Sequence, residues 1–336
     1  MDSVTHIVLG ACIGEVIAGK ELGRKSMLWG ALAQTFPDID VVAEMWLDTP
    51  SNLLAHRGFT HSILSCLLFT PLFAAMAKGI HSKVNISMQR WMALFCIEMF
   101  CHLLLDSQNA YGTGLFEPFS HARVSFNTMF VADPLFTIVA LVASIVLLIF
   151  RKKEKRRFGW ATAGIVASAL YLSVCIINKL VVTSEVNTLM QKQNVTYTQS
   201  FVTPTPLNNL LWYVVANDDK GSYVGYRSIF DKKPEFELTY FKRNDELLHG
   251  MEGDAGLQKL KRFSKGYYIA QQWGDTLIFS DLRFGQMIGW KYPQEKFVFH
   301  YYLKHPNENK VVIQRGRFAK WDNTAIPTLW QRMMGI

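Results

Sequence analysis

Charge is scarce in this chain. Asp, Glu, Lys and Arg make up 18% of the 336 residues, against roughly a quarter in ordinary globular chains. Half of the residues are hydrophobic, and the mean hydropathy is +0.11. That shortage argues against a wholly soluble protein and points to membrane segments. Paired cysteine is missing as well. Cys12, Cys66, Cys96, Cys101 and Cys175 all lie in apolar segments, and none forms a Cys-x-x-Cys pair. They read as small buried hydrophobes, not as disulfides or zinc ligands. No cysteine follows Val182, so the distal half needs no oxidising compartment. Asp2 precedes the first apolar stretch and no basic region leads it, so a cleavable signal peptide is not expected. Internal repeats and low-complexity tracts are absent.

What is present is a succession of apolar segments. Val4 to Gly19 and Ser26 to Phe36 are short against the roughly 20 residues a full span needs. Ser62 to Ile80, Trp91 to Leu105, Phe130 to Phe150 and Gly159 to Val182 are the fuller ones. The pattern predicts an α-helical membrane bundle of about six segments over residues 1–185, the first two short. The formal charge of +8 has its densest source at Arg151 to Arg157, between two apolar segments. A basic loop there is a topology signal before it is a nucleic-acid patch, and no nucleic-acid partner is expected. Lys and Arg collect in alternate loops, which marks those loops as cytoplasmic. The other loops carry Asp38, Asp40, Glu44, Asp48, His56, His61, Asp106 and Asp133, and His6 joins that set. Topology alone therefore gathers the chemistry-bearing residues on the outer face.

Past Val182 the pattern changes. Thr203-Pro204-Thr205-Pro206 reads as a linker or turn. Short alternating runs follow: Leu211 to Val215, Tyr223 to Phe230, Phe236 to Phe241, Tyr267 to Gln271, Thr276 to Asp281, Lys296 to Tyr302 and Val311 to Arg315. Aromatic and β-branched residues separated by turns such as Asn217 to Gly221 predict a mainly β extramembrane domain, 186–336, on the extracytoplasmic side.

The polar island of the first half is Pro37-Asp38-Ile39-Asp40 with His56-Arg57-Gly58-Phe59-Thr60-His61. Ionisable groups next to membrane segments need a function or a partner. His102 and Asp106, four apart, share one helix face and make a natural two-ligand clamp. His56 and His61 converge only if the turn between them folds them together. Asp38 and Asp40 point differently, so one of them ligates directly at most. Imidazole and carboxylate together suit Zn, Mn or Fe. More than four ligands would indicate more than one ion. A cation in such a site lowers the pKa of water to about 7. The bland alternative is that these residues cap helices and bond lipid headgroups. Arg57 is either a phosphate clamp or a headgroup anchor. Asp133 either orients a ligand histidine or caps the following helix. Glu15 and Glu98 are buried relays or interface partners. His81, His121, His249, His300 and His305 read as ordinary surface or interfacial histidines.

On Thr5-His6, Pro37-Asp38-Ile39-Asp40, His56 to Ser62, His102 to Asp106 and Asp133-Pro134, the chain resembles the YdjM/YbcI-type family of inner-membrane metal-dependent hydrolases. The resemblance covers about the first 150 residues. More distantly it is similar to zinc-dependent phospholipase C and to nucleases with a trinuclear zinc site. It implies a bacterial inner-membrane location and His6, Asp38, His56, His61, His102 and Asp106 as the ligand set. Thr205 to Trp212 and Asp281 to Gly285 look like features of a longer bacterial subgroup. The reading that follows is a hydrolase of phosphoester bonds in a lipid or envelope substrate. Metal-activated water acts at the outer face, with Arg57, Asp40 and Asp133 beside the metal. The competing reading is a non-catalytic membrane protein with a structural metal or headgroup site and a partner-binding β domain. A transporter is weaker, because transport sites lie near the midplane.

Overall fold

The structure, a computed structural model, describes residues 1–150, 154, 156–232, 235–304, 318 and 321–336. Most of the basic run at 151–157, all of the expected strand at Val311 to Arg315, and His305 lie outside the described residues. A helical region comes first. It comprises α1 (Ser3–Leu22), α2 (Arg24–Thr35), a 3-10 segment (Phe36–Met45), α3 (Thr49–Ala55), a 3-10 turn (Phe59–His61), α4 (Ile63–Ile80), α5 (Met88–Asp106), α6 (Pro134–Ile149) and α7 (Arg156–Lys192). A mainly β region follows. Compactness divides the chain into Met1–Met45 with Ala55–Cys175, and Trp46–Leu54 with Ile176–Ile336. The seam thus falls inside α7, ahead of the expected 185/186, and a short early segment groups with the distal unit.

Among the described residues, α1, α4, α5 and α7 are long and apolar enough to cross a membrane, and α6 is apolar but only 16 residues long. Two expectations change. The first segment is not short: its helix runs on through Lys20 and Glu21 to reach 20 residues. The segment expected from Phe130 begins only at Pro134, because Asp133 accepts from the Leu135 and Phe136 amides at 3.0 and 3.2 Å and fixes the helix start there.

In the first unit, side-chain oxygens start α1, α4 and α5. Asp2 accepts from Thr5 N, Ser62 from Ser65 N and Ser87 from Arg90 N. Gly23, at φ 59°, turns the chain back from α1 into α2. The two helices pack with almost no gap, since a Cβ on Gly30 would lie 2.0 Å from the Gly10 carbonyl oxygen. Trp91, Leu94, Phe95 and Met99 of α5 form the centre of the apolar core. The Arg157 guanidinium is buried on Glu15, with Nε–Oε1 at 2.8 Å and Nη2–Oε2 at 2.6 Å. This pair ties α7 to α1.

In the distal unit, β1 (Gln199–Pro204), β2 (Leu211–Asn217), β3 (Gly221–Ser228) and β4 (Leu238–Lys242) form one antiparallel sheet in that order. β5 (Tyr268–Trp273), β6 (Thr276–Gln286) and β7 (Phe297–Tyr302) form a second. Thr203-Pro204 ends β1 and is not a linker; β1 is an edge strand, where proline's missing N–H is tolerated. The Asn217 to Gly221 turn is held by Asp218, which accepts from the Lys220 and Gly221 amides at 2.7 and 2.6 Å. A 3-10 helix (Asp245–Leu248) and two α-helices, α8 (Ala255–Ser264) and α9 (Ala325–Met333), complete the described part.

Candidate metal centre

Four residues from three separate stretches converge: Asp38, His61, His102 and Asp106, each offering a ligand atom within 4.8 Å of the others. The 3-10 segment after α2 supplies Asp38, the turn before α4 supplies His61, and the last turn of α5 supplies His102 and Asp106. His61, His102 and Asp106 have no solvent exposure, while the Asp38 side chain is 24% exposed. The group therefore opens to the outside past Asp38.

The protons on the two imidazoles carry the argument. His102 Nδ1 lies 2.6 Å from the Gln34 carbonyl oxygen, which can only accept. Nδ1 must carry the hydrogen, which leaves a lone pair on Nε2. His61 Nδ1 lies 3.1 Å from the Thr60 hydroxyl oxygen, which gives its own hydrogen to Asp40, and 3.1 Å from the Asp40 carboxylate, so it too carries its hydrogen. The two Nε2 atoms then face each other at 3.0 Å. Asp38 Oδ1 is 3.4 Å and Asp106 Oδ2 3.3 Å from His61 Nε2. Asp106 Oδ2 is buried and accepts no hydrogen bond of good geometry. Arg57 and the Met1 amino group balance part of the Asp106 charge, but the two facing lone pairs, with Asp38 beside them, repel unless a cation or a proton stands between them. Without a metal a proton takes that place. Burial alone would lower the His61 imidazolium, but hydrogen bonds to Asp106, Asp38 and Asp40 raise it to about 10. The residues fit a divalent cation of the Zn, Mn or Fe type, and the buried cluster can hold one.

The other expected site residues surround this group. The His6 ring stacks on His102 with centroids 3.9 Å apart, and its Nε2 is 3.3 Å from Asp106 Oδ1. The Met1 amino group is also buried against Asp106. His56 stands outside the four; its Nδ1 is 2.9 Å from Asp40 Oδ1, and its ring is 6.1 Å from that of His61. Asp40 orients both histidines and accepts from Thr60 Oγ1 at 3.0 Å and Arg57 N at 2.8 Å. Burial opposes ionisation of Asp40, but the hydrogen bonds from His56 and His61 prevail and hold its carboxyl well below the usual range.

Arg57 adopts φ 60°, a left-handed conformation that non-glycine residues seldom take. It is held there by Asp40 on its amide and by the Gly114 amide, 2.8 Å from its carbonyl oxygen. The turn aims the guanidinium inward, with Nε 2.9 Å from Asp106 Oδ2 and Nη1 donating to Asn109 Oδ1 at 2.7 Å. Asp133 is not brought into the four. It starts α6 and accepts from the Tyr171 hydroxyl at 2.9 Å. Three participants escape sequence reasoning: Gln34, which acts through its backbone carbonyl, Asn109 and the Met1 amino group. Gln34 left a signal as the polar residue near the end of an otherwise apolar run. A main-chain acceptor leaves none.

Comparison with known proteins identifies the family. The family model described as YdjM inner membrane protein matches residues 1–182, which contain every residue of the centre. The chain is 28% identical over 151 residues to the uncharacterized protein YfhP of Bacillus subtilis, covering 43% of this chain and 45% of that protein. It is 27% identical over 112 residues to the inner membrane protein YbcI of Escherichia coli, covering 33% of this chain and 63% of that one. The matches thus span less than two thirds of either relative. No solved structure matches. The chain belongs to the YdjM inner membrane protein family.

Proposed function

We propose that this protein is an integral membrane, metal-dependent hydrolase that cleaves a phosphoester bond in a lipid or envelope substrate. The single observation that carries the reading is the pair of Nε2 atoms 3.0 Å apart with both Nδ1 positions already committed. A divalent cation there supplies a Lewis acid and a source of hydroxide near neutral pH. The partial opening at Asp38 favours a working site over a closed structural one. His102 and His61 are held as fixed bases by Gln34 and Asp40. Arg57 stands beside Asp106, where its planar fork neutralises charge gathering on a phosphoryl oxygen. His56, half-exposed and oriented by Asp40, is the group placed to move a proton at the opening. Asp133 serves this reading only through the start of α6.

The proposed setting is the bacterial inner membrane, with the centre and the β unit on the extracytoplasmic side. Basic residues in the alternate loops support that orientation. Turnover on p-nitrophenyl phosphodiesters and on lipid extracts, with and without chelator, tests the activity. The expected result is hydrolysis that chelator abolishes and zinc or manganese restores. Hydrolysis indifferent to chelator, or none on any of these substrates, would overturn it.

A further inference from the structure

The elements that carry the centre present apolar side chains outward at the same depth as the ligands. On α5, Leu104 sits between His102 and Asp106; both ligands are fully buried, yet Leu104 is 52% exposed. At about 1.5 Å rise per residue it lies within about 3 Å of each along the helix axis. Ile97, two turns earlier, is exposed on the same face. On α1, Val4 and Ile7 are exposed on either side of fully buried His6. The 3-10 segment Phe36–Met45 shows the division most sharply. It gives Asp38 to the four-residue group and Asp40 to His61, while Ile39, Val41 and Val42 are exposed and Met45 is 83% exposed, with Glu44 the one exposed acid among them.

Bulk water at this level would face a broad apolar surface, and soluble proteins seldom leave such surfaces open. α1 and α5, which carry these exposed side chains beside the ligands, are both long and apolar enough to span, so the solvent those side chains meet is the membrane. An apolar outer face behind a charged inner one is how a segment lies in the membrane interface.

We infer that the centre opens into the headgroup layer of the membrane and takes a lipid phosphate, whose acyl chains lie against the Phe36–Met45 segment. This rests on the reading of the four residues as a metal centre. It adds the substrate's class and its direction of approach. The phosphate meets Arg57 and the cation, and the chains replace lipid already in contact with Val41, Val42 and Met45. A water-soluble phosphoester would have to cross that layer to reach Asp38.

The test uses the full chain, zinc-loaded, in phospholipid vesicles containing a trace of lipid with a diazirine on its acyl chain. One probe is phosphatidic acid in its non-hydrolysable phosphonate form, which turnover cannot convert into the other; the other is diacylglycerol with the same chains and no phosphate. After photolysis, labelled peptides are mapped by mass spectrometry. The expected result is labelling of residues 36–45 by phosphatidic acid about tenfold above diacylglycerol, on the scale of one charge-assisted contact. Peptides from the middle of α7 should take both probes equally. Absence of label from 36–45, or equal label there from both probes, would overturn the inference. Labelling needs no turnover, so this outcome is separate from that of the hydrolysis assay.

Discussion

At Asp40 one carboxylate holds two imidazoles, a backbone amide and a hydroxyl. It reaches the four ligands through His61 and also holds His56 and the Arg57 amide, so Asp40→Asn should keep the fold and weaken metal affinity by about 10–100-fold. Chelator competition measures this, and an unchanged affinity would remove Asp40 from its orienting role. Arg57 makes a different case. Arg57→Lys keeps a charge and loses the fork, so metal content should stay while turnover falls by roughly 10²–10³. Equal loss of both would make Arg57 a structural partner of Asp106. His61 gives a pH prediction. Its imidazolium is raised to about 10 from an ordinary 6.5. In metal-free protein its contribution to stability is therefore complete below about 6.5 and fades as pH rises through about 10. A cation must displace that proton. Binding at pH 7.5 should release about one proton per ion, whereas an ordinary histidine would release about a tenth. Calorimetry in two buffers of different ionisation enthalpy reads the number directly.

At the scale of elements, the 3-10 segment and α2 place Asp38 and the Gln34 carbonyl, and α2 can do so only because it lies directly on α1. A Cβ at Gly30 would meet the Gly10 carbonyl oxygen at 2.0 Å and Glu98 Oε1 at 2.7 Å. Gly30→Ala should therefore destabilise by about 1–3 kcal/mol. It should also weaken metal binding, because α2 moves away with its carbonyl. An unchanged Tm would show that the contact is slack. Much of this level was legible in the sequence. The expected runs Ser62 to Ile80 and Trp91 to Leu105 fall on α4 and α5, and six of the expected strand runs fall on observed strands. Other parts were hidden for physical reasons. Pro204 looks like a break but is tolerated on an edge strand. In α8 only Leu257, Leu260, Phe263 and Ser264 turn inward, so its apolar content is too low for a composition scan to notice. α1 outruns its apolar run because helix geometry continues through Lys20 and Glu21.

At the scale of the whole molecule, α1 carries a polar cluster near each end: His6 with the metal centre, and Glu15 with Arg157. The second pair is buried on both sides, so Arg157→Ala strands the Glu15 carboxylate and should destabilise by about 3–5 kcal/mol. Thermal unfolding in detergent checks this. Metal content of the folded protein should be unaffected, because the two clusters lie about 13 Å apart along α1. Spacing made the His102–Asp106 clamp readable, since a helix puts residues four apart on one face. The partnership of Asp38 with His61 depends on how a 3-10 segment and a turn approach each other, which no local pattern encodes. The central claim is that Asp38, His61, His102 and Asp106 grip one ion, and the metal content of the purified full-length chain tests it most directly. After zinc loading and removal of free metal, the wild type should hold at least about one ion per chain, and folded His102→Ala and Asp106→Ala about a tenth of that or less. A wild type that holds none, or variants that hold as much, would contradict the account.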